Sequence, residues 1–516
     1  MNRQPIMNRA RLAQPRLALQ FLLLAALACA RSDQPIVILG VRLGGQPGES
    51  GAKAPPTLDG SGLLEVVEVP YSTPTPDPIR ATPAREEFPE WYTVRPGDSL
   101  NAIAGRMGIG MSQIMVANGL ANPDYLATGQ VLWLPTPIPQ LPGPSFKIIP
   151  DSELVNGPAG AAFDIFPLIE VWDGALHRYR ETMNGSEQSG AQIVEWVAEK
   201  YSVSPRLLVA MLEYQGGWLT RPQPAPERLT YPLGYAQPGF EGLYRQLAWA
   251  ADQLNQGYYL WRAGWAGPYI LADGTAINPG PGINAGTAGV QWLFAQLYPG
   301  DLWRGVSDEN GFYRVYEILF GIPFANATDP LLPAGLSQPV LQLPFEFGRT
   351  WSFTGGPHSG WGNWAAWSAI DFAPPGDALG CVQSNEWVVA VADGLILRSA
   401  DGEVIQDLDG DGLEGTGWVI QYLHLETRDR VSMGAELEAG DRIGHPSCEG
   451  GVSSGTHLHL SRKYNGEWIP ADGDLPFNLD GWISGGLGSP YDGTLSRDGI
   501  NLEACSCRFP INQISR

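Results

Sequence analysis

The chain has 516 residues, and its 44% hydrophobic content and 18 tryptophans are ample for several buried cores. This length predicts roughly two to four domains. Lys and Arg number 32 against 54 Asp and Glu, a formal net charge of −22, and this acidity argues against nucleic acid as a partner, because phosphate binding requires a basic surface.

The first 29 residues have the order of a secretory signal, with arginines, then an apolar run at 17–28, then small residues. That run is too short to span a bilayer in a mature protein. The segment 26–29 resembles a bacterial lipobox, which would lipidate Cys29, while ordinary signal-peptidase cleavage is the alternative. We therefore predict an extracellular protein of the cell envelope. It would contact the membrane through a lipid anchor on Cys29, or it would be secreted freely without such an anchor.

Residues 30–89 are rich in Pro, Gly, Ser and Thr and predict a flexible linker, and residues 137–157 predict a second, proline-rich one. Between them, 90–136 read as strand, helix, helix, strand, with Asp98 or Ser99 and then Ser112 as helix caps. The YTV, GDSL, NPD and GQVLWLP elements resemble a LysM domain. The resemblance implies a βααβ fold that binds N-acetylglucosamine chains of peptidoglycan or chitin. It points to these sugar-binding positions: Gly97, Asp98, Ser99, Asn118 and Asn122.

Residues 158–339 have apolar spacing typical of helices and predict an α-helical domain. The stretch VSPRLLVAMLEYQGGW resembles the active-site helix of lysozyme-like transglycosylases. Gln215 stands where that family has its catalytic glutamate, so we expect a lysozyme-like fold that binds glycan or acts as a spacer. A glycosidase that uses Glu213 is the alternative.

From residue 340 the pattern changes to short alternating runs broken by Gly, Asp and Pro, which predict a mostly antiparallel β domain over 340–490 and a cysteine-containing tail over 491–516. In the stretch GTHLHLS, side chains two residues apart on a strand point to one face, so His457 and His459 lean together. Five of the six histidines of the chain lie in this part of the sequence: His358, His424, His445, His457 and His459.

The segments GGPHSGWGNWAAWSAIDFAPPG, QYLHLET and GTHLHL resemble, in this order, the metallopeptidase family of lysostaphin and the beta-lytic endopeptidases. Most members have a metal-binding His four residues before the Asp, where this chain has Trp367, but the beta-lytic branch has it thirteen residues before, as His358 stands before Asp371. The resemblance implies Zn²⁺ bound by His358, Asp371 and His459. It also implies that His424 and His457 flank the attacking water, while His445 reads as structural.

Four cysteines follow the signal segment: Cys381, Cys448, Cys505 and Cys507. They allow three pairings in an oxidising compartment, and a Cys381–Cys448 bridge would join two segments that flank the histidines. The acidic stretch DLDGDGLEGTGW carries Asp407, Asp409 and Asp411 at the spacing of a calcium loop, but it lacks the final Glu. Ca²⁺ there and a solvated hairpin turn are both open.

These features together predict an exported zinc metalloendopeptidase that cleaves stem peptides or cross-bridges of peptidoglycan and is targeted by its LysM domain. The alternative is a catalytically silent protein that binds the cell wall as a scaffold or regulator of other hydrolases. Loss of metal ligands would favour this alternative, and the sequence retains them.

Overall fold

A computed structural model describes residues 91–94, 98–107, 109–120, 122–123, 126–134, 142–183, 185–264, 267–376 and 380–516. The predicted signal peptide, Cys29, the linker over 30–89 and Gly97 lie outside these residues. Among the helices that are described, none has the length and apolar character needed to cross a bilayer.

A small domain over residues 91–134 has the predicted order of strand, helix, helix and strand. Its elements are β1 (Trp91–Thr93), α1 (Leu100–Met107), α2 (Met111–Asn118) and β2 (Val131–Trp133). β1 and β2 pair antiparallel, and Ile103, Ile114 and Leu132 are fully buried between the helices and this pair. The Ser99 hydroxyl accepts a hydrogen bond from the Ala102 amide, so Ser99 caps α1.

A helical region follows over residues 142–340. Its elements are α3 (Asp151–Leu154), α4 (Ile165–Val171), α5 (Ala175–Arg178), β3 (Arg180–Met183), β4 (Ser186–Ser189), α6 (Gly190–Tyr201), α7 (Pro205–Gly216), α8 (Pro226–Thr230), α9 (Leu243–Arg262), β5 (Tyr269–Ile270), β6 (Ala276–Ile277), α10 (Ala285–Ala295), α11 (Gly300–Val306) and α12 (Phe312–Phe320). The predicted linker over 137–157 is wrong for its second half, because Ile148, Ile149 and Leu154 are fully buried in the core of this region. Burial of these apolar side chains stabilises a packed conformation of the segment over an exposed, extended one.

A β region over residues 341–516 contains the remaining strands. They are β7 (Thr350–His358), β8 (Ala369–Ala373), β9 (Val388–Val389), β10 (Gly394–Ala400), β11 (Glu403–Asp407), β12 (Trp418–Leu423), β13 (Glu436–Leu437), β14 (Arg442–Gly444), β15 (Leu458–Tyr464), β16 (Glu467–Trp468), β17 (Asn478–Leu479), β18 (Trp482–Gly486), β19 (Gly493–Arg497), β20 (Ile500–Glu503) and β21 (Gln513–Ser515).

The main sheet of the β region has nine strands in the order β13-β10-β11-β12-β15-β8-β7-β21, with β16 paired to β15. Its named strand pairs are antiparallel, as predicted. The predicted tail over 491–516 is instead part of the fold: β19 and β20 belong to a second, four-stranded sheet, and β21 pairs with β7. The alternating pattern of these short strands was too brief to distinguish them from a tail.

A network of buried charges joins the helical region to the β region. Lys200 Nζ lies 2.5 Å from Glu403 Oε2, and Arg398 pairs with both Glu403 and Glu414. The Glu403 side chain is fully buried. Burial would raise the pKa of Glu403, but the cations of Arg398 and Lys200 lower it from 4.5 to about 2. The carboxylate is therefore ionised in the folded chain at neutral pH.

Since the pKa of Glu403 is lower in the folded chain than in the unfolded chain, its contribution to stability is complete above pH 4.5 and is lost as the pH falls towards 2. A shift of this size corresponds to about 3 kcal/mol. We expect Glu403→Gln to lower the free energy of unfolding by about this amount at pH 7, and we expect the deficit to shrink on acidification through this range. Urea unfolding followed by tryptophan fluorescence at several pH values measures both effects. The exposed Glu436→Gln is the control, and a deficit that stays constant with pH would contradict the ionised network.

Candidate metal centre

Three adjacent strands of the main sheet bring the three predicted metal ligands together. Asp371 on β8 lies directly opposite His459 on β15, and His358 is the last residue of β7, which pairs with β8 on its other side. Gly355 leaves room for the carboxylate, since a Cβ there would lie 2.5 Å from Asp371 Oδ2. The sheet therefore fixes the ligands through its register, and all three side chains are buried.

The three candidate ligand atoms form a small triangle. His358 Nε2 lies 3.0 Å from His459 Nδ1, and Asp371 Oδ1 lies 3.3 Å from the first nitrogen and 3.4 Å from the second. Ligands at 2.0–2.1 Å from a tetrahedral zinc ion are about 3.3 Å apart. The spacing of these atoms therefore matches one face of a zinc tetrahedron, with the fourth corner left for another group.

Backbone carbonyls determine which nitrogen of each ligand imidazole carries the proton. His358 Nδ1 donates to the Gly356 carbonyl at 2.8 Å, and His459 Nε2 donates to the Gly360 carbonyl at 3.1 Å. A carbonyl only accepts hydrogen bonds, so the nitrogens that face Asp371 carry lone pairs in the neutral rings. Asp371 Oδ1 is buried and accepts no well-aligned hydrogen bond from the described residues. Three acceptors thus face one another, an arrangement that requires a cation or an extra proton.

The charges of the metal-free chain agree with this reading. Burial would raise the pKa of Asp371, but the neighbouring His358 and His457 hold it well below its ordinary value. Burial would likewise lower the pKa of His358, yet the Asp371 carboxylate raises it. The Asp371 carboxylate therefore favours positive charge at His358, and a metal ion bound there would compete with a proton for this ring.

His424 and His457, the two predicted non-ligands, stand beside this triangle. Their ring centroids are 4.5 Å apart, and His457 Nε2 lies 3.7 Å from Asp371 Oδ1. His424 Nδ1 donates to the Glu449 carbonyl at 2.8 Å and His457 Nδ1 to the Gly455 carbonyl at 2.7 Å, which leaves both Nε2 atoms with lone pairs. Burial and the nearby His457 and His459 lower the pKa of His424 to about 3, so its ring is neutral at pH 7.

His424 also has an unusual backbone conformation, with φ of 68°. A left-handed backbone is uncommon for a residue with a side chain, and such strain is concentrated at functional sites. The residue follows β12 directly and Leu423 lies opposite His459, so the turn in the chain directs the ring of His424 towards the metal centre.

Tyr491 is a site residue that sequence reasoning missed. Its ring stacks on His358 with centroids 4.1 Å apart, and its backbone has φ of 67°. The Tyr491 amide donates to the Pro357 carbonyl, and the Gly356 amide donates to the Tyr491 carbonyl. The ring thus covers a ligand and is still 58% exposed to solvent. The sequence contains no signal for it, because Tyr491 follows no motif and lies in the part predicted as a tail.

Two disulfides lie in the β region. The Cys381 and Cys448 sulfurs are 2.11 Å apart, and Cys505 is bonded to Cys507. Cys448 directly precedes Glu449, whose carbonyl accepts the His424 hydrogen bond. The Gly380 carbonyl, next to Cys381, accepts from the Thr456 amide just before His457. The first bridge therefore supports the segments that hold both non-ligand histidines.

His445 is held in a structural setting, as expected. Its Nδ1 donates to the Glu386 carbonyl at 2.8 Å, and its ring packs on Trp387. Glu213 also has a structural role, since its carboxylate accepts hydrogen bonds from the Leu219 amide and from the amide and hydroxyl of Thr220. This use of the carboxylate does not favour the glycosidase alternative.

Three of the predicted sugar-binding residues in the small domain also make hydrogen bonds within that domain. Asn118 is used inside the domain, because its amide exchanges hydrogen bonds with both the amide and the carbonyl of Trp133. Ser99 caps a helix, and Asp98 accepts from the Tyr92 hydroxyl at 2.6 Å. Asn122 remains a sugar-binding prediction. Asn118 therefore has a structural role in the domain, and its contact with sugar stays a prediction.

The predicted calcium ligands also lie together. Asp407, Asp409 and Asp411 each offer an oxygen within 4.8 Å of the others. Each carboxylate also accepts a backbone amide from its own turn, from Asp409, Asp411 and Leu413 respectively. Such bonds shape an acidic turn without an ion, so calcium stays a prediction.

Comparison with protein families assigns two parts of the chain. The LysM domain family matches residues 92–135, and the family described as LasA, N-terminal domain, matches residues 147–332. The small domain is therefore a LysM domain. The resemblance of the helical region to lysozyme-like proteins is not confirmed, and the second match begins within the segment predicted as a linker.

Among solved structures, the M23 metalloprotease pseudoalterin from the deep sea is 24% identical, covers 33% of this chain and 96% of its own, and has a TM-score of 0.27. The catalytic domain of lysostaphin from Staphylococcus simulans is 22% identical, covers 24% of this chain and 89% of its own, and has a TM-score of 0.18.

Two kinds of curated relative are similar in sequence. Protease LasA of Pseudomonas aeruginosa is 26% identical over 294 residues, which cover 53% of this chain and 66% of that protein, so the match leaves about a third of the relative unaligned. The beta-lytic metalloendopeptidase of Lysobacter enzymogenes is 32% identical over 169 residues, which cover 31% of this chain and 86% of that protein. The chain therefore belongs to the family of the beta-lytic metalloendopeptidases.

Proposed function

We propose that the chain is an exported zinc metalloendopeptidase that cleaves peptide bonds of the bacterial cell wall and is held on its substrate by the LysM domain. The observation that carries the proposal is the triangle of three buried acceptor atoms, on His358, Asp371 and His459, around a carboxylate oxygen without a well-aligned donor. Membership of the metalloendopeptidase family supports the same reaction class.

The donor set fits zinc better than calcium or magnesium. Two imidazoles and one carboxylate suit Zn²⁺, whereas the other two ions prefer ligand sets made of oxygen. When bound, zinc would supply Lewis acidity that polarises a scissile carbonyl and acidifies water. His358, Asp371 and His459 would hold the ion, and the carbonyls of Gly356 and Gly360 would keep both imidazoles in the ligating tautomer.

His424 and His457 are the proposed proton carriers. Each has its Nδ1 proton engaged by a carbonyl, so Nε2 is the atom that can take a proton from the attacking water and return it to the leaving amine. With these tautomers a neutral ring presents no proton to an oxyanion, so either imidazole must first accept a proton before it can donate one. Which of the two acts first is open.

The LysM domain would bind the N-acetylglucosamine chains of peptidoglycan and keep the peptidase near its peptides. Linking a binding module to a catalytic one raises the local concentration of substrate without a new contact at the catalytic site. Export by the N-terminal segment would bring the chain to this substrate, either with a lipid on Cys29 or as a freely secreted protein. The sequence retains every predicted ligand, which favours catalysis over the silent scaffold.

We expect the full-length chain to bind one Zn²⁺ at this centre. At free zinc about 100-fold above the dissociation constant, the chelator-treated chain should gain about 2.7 kcal/mol in stability. His459→Ala and Asp371→Ala should lose this gain, whereas His177→Ala, outside the β region, should retain it. Thermal unfolding with and without zinc, together with metal analysis, measures the effect. Equal zinc-dependent stabilisation of His459→Ala and the unchanged chain would exclude this site.

We expect purified peptidoglycan treated with the full-length chain to release peptide fragments with new amino termini, detected by mass spectrometry, and we expect a zinc chelator to stop this release. His457→Ala and His424→Ala should still bind zinc, and at least one of them should cleave about 100-fold more slowly or worse, since it lacks a proton carrier. Glu213→Gln should cleave normally. New reducing sugar ends, or fragments that form equally with chelator, would contradict a metallopeptidase and favour the alternatives.

A further inference from the structure

The segment between the first two candidate ligands is a loop over residues 359–368, here called the ligand loop. It joins His358 to β8, which carries Asp371, and its Gly360 carbonyl accepts the hydrogen bond from His459 Nε2. The ligand loop is thus covalently continuous with two ligands and hydrogen-bonded to the third. Through the Gly360 carbonyl, the ligand loop helps to fix which nitrogen of His459 faces Asp371.

Much of the packing around the ligand loop comes from the helical region. The Trp361 ring contacts Trp196 and Tyr201 of α6 edge to face, with centroids 6.2 and 6.4 Å apart. Lys200 Nζ, also on α6, lies 5.3 Å from the centroid of Trp361. Ala365 and Ala366, at the far end of the loop, are buried in the core of the helical region. Residues of the helical region, distant in sequence, therefore pack against the loop that connects two of the candidate ligands.

Asp252, on α9, makes the polar part of this contact. Its Oδ1 accepts from the Asn363 amide at 3.0 Å, and its Oδ2 accepts from Asn363 Nδ2 at 3.2 Å. Gly362 has φ of 64° and lies so close that a Cβ there would be 2.8 Å from Asp252 Oδ1. The Asp252 carboxylate therefore binds the tip of the ligand loop through both the backbone amide and the side-chain amide of Asn363.

Burial of the Asp252 carboxylate at this contact has a cost in free energy, because the group loses its hydration. Asp252 is buried and forms no ion pair with any described cation, and burial raises its pKa despite the hydrogen bonds from Asn363 and Trp364. A well-packed apolar residue commonly stabilises such an interface as well as or better than a buried charge. What the carboxylate adds is direction, because it fixes the amides that it binds to one position.

We propose that Asp252 is a positioning residue for the metal centre, which it acts upon through Asn363, the ligand loop and the Gly360 carbonyl. The inference rests on the proposed zinc function and extends it to the helical region, which thereby helps to shape a site to which it contributes no ligand. Without the grip of Asp252, the Gly360 carbonyl would lose its fixed place, and His459 would spend less time in the ligating tautomer.

The test measures zinc affinity of the full-length chain by competition with a chromogenic chelator. Residues that orient metal ligands typically cost 10–100-fold in affinity when they are mutated, so Asp252→Ala should bind Zn²⁺ about 10-fold more weakly. Asn363→Ala should weaken binding less, because the backbone amide of residue 363 remains. The double variant should bind Zn²⁺ no more weakly than Asp252→Ala, since both substitutions disrupt the same contact between Asp252 and Asn363.

The matched control is Tyr258→Phe, which removes a 3.0 Å hydrogen bond to Glu467 across the same interface without touching the ligand loop. It should lower stability but leave zinc affinity unchanged. The absorption spectrum of the Co²⁺-loaded chain gives a second readout of ligand geometry, and it should change in Asp252→Ala and Asn363→Ala but not in the control.

If Asp252→Ala and Asn363→Ala both match Tyr258→Phe in zinc affinity and Co²⁺ spectrum, Asp252 is only a structural residue and the inference is overturned. If Asp252→Ala does not fold, Asn363→Ala carries the same decision, because the Asn363 side chain is exposed and the rest of the grip stays in place. His459→Ala separates the two proposals: unchanged affinity in that variant would overturn the zinc site itself, whereas a loss in His459→Ala alone would overturn only the role of Asp252.

Discussion

Backbone carbonyls orient all four imidazoles around Asp371, and the rest of the candidate centre depends on this constraint. Each carbonyl engages the one proton of a neutral ring, so lone pairs accumulate at the centre. Such an arrangement is unfavourable in a buried space unless a positive charge enters it. The fold therefore favours a positive charge at this point, and the proposed zinc ion would supply it.

The sheet holds these acceptor atoms close together. Asp371 and His459 face each other across two central strands, where neither residue can move without breaking ladder hydrogen bonds. A centre assembled on strands in this way is organised before the ion arrives, so binding costs little rearrangement. The less regular parts of the site are the non-ligands, since His424 has a left-handed backbone and His457 precedes β15. The residues proposed to move protons thus lie at the ends of strands, whereas the ligand positions of Asp371 and His459 lie within them.

Sequence reasoning could reach those parts of the site that depend on side-chain identity and spacing. The pair His457 and His459 follows from strand periodicity, and His358 follows from a spacing that only a family resemblance makes meaningful. The carbonyls of Gly356, Gly360 and Glu449 could not be predicted, because every residue has a carbonyl and only the fold selects one. Tyr491 was missed for a related reason: it lies in the turn between β18 and β19 of the second sheet, and no local pattern indicates that this turn reaches His358.

The errors at the domain boundaries have the same physical cause, since long-range contacts decide whether a segment is buried. Proline-rich composition predicted a linker up to residue 157, yet Ile148 and Ile149 are core residues whose partners lie more than a hundred positions later in the chain. Short strands near the C-terminus resembled a tail because β21 pairs with β7, which lies far earlier in the chain. Local composition reports the propensity of a segment, and it does not report whether a distant segment offers a surface on which that segment can be buried.

The interface between the helical and β regions contains a network of ion pairs that couples the two regions. Lys200, Arg398 and Lys463 are balanced by Glu199, Glu403 and Glu414 in one connected network. Buried ion pairs of this kind add little net stability over apolar contacts, but they penalise any misplaced register severely, because a shift leaves charges unpaired. Lys200 belongs to this network and also lies over Trp361 of the ligand loop. The alignment of the two regions and the position of the loop are therefore set by the same helix, so a displacement of α6 would disturb the charge network and the metal centre together.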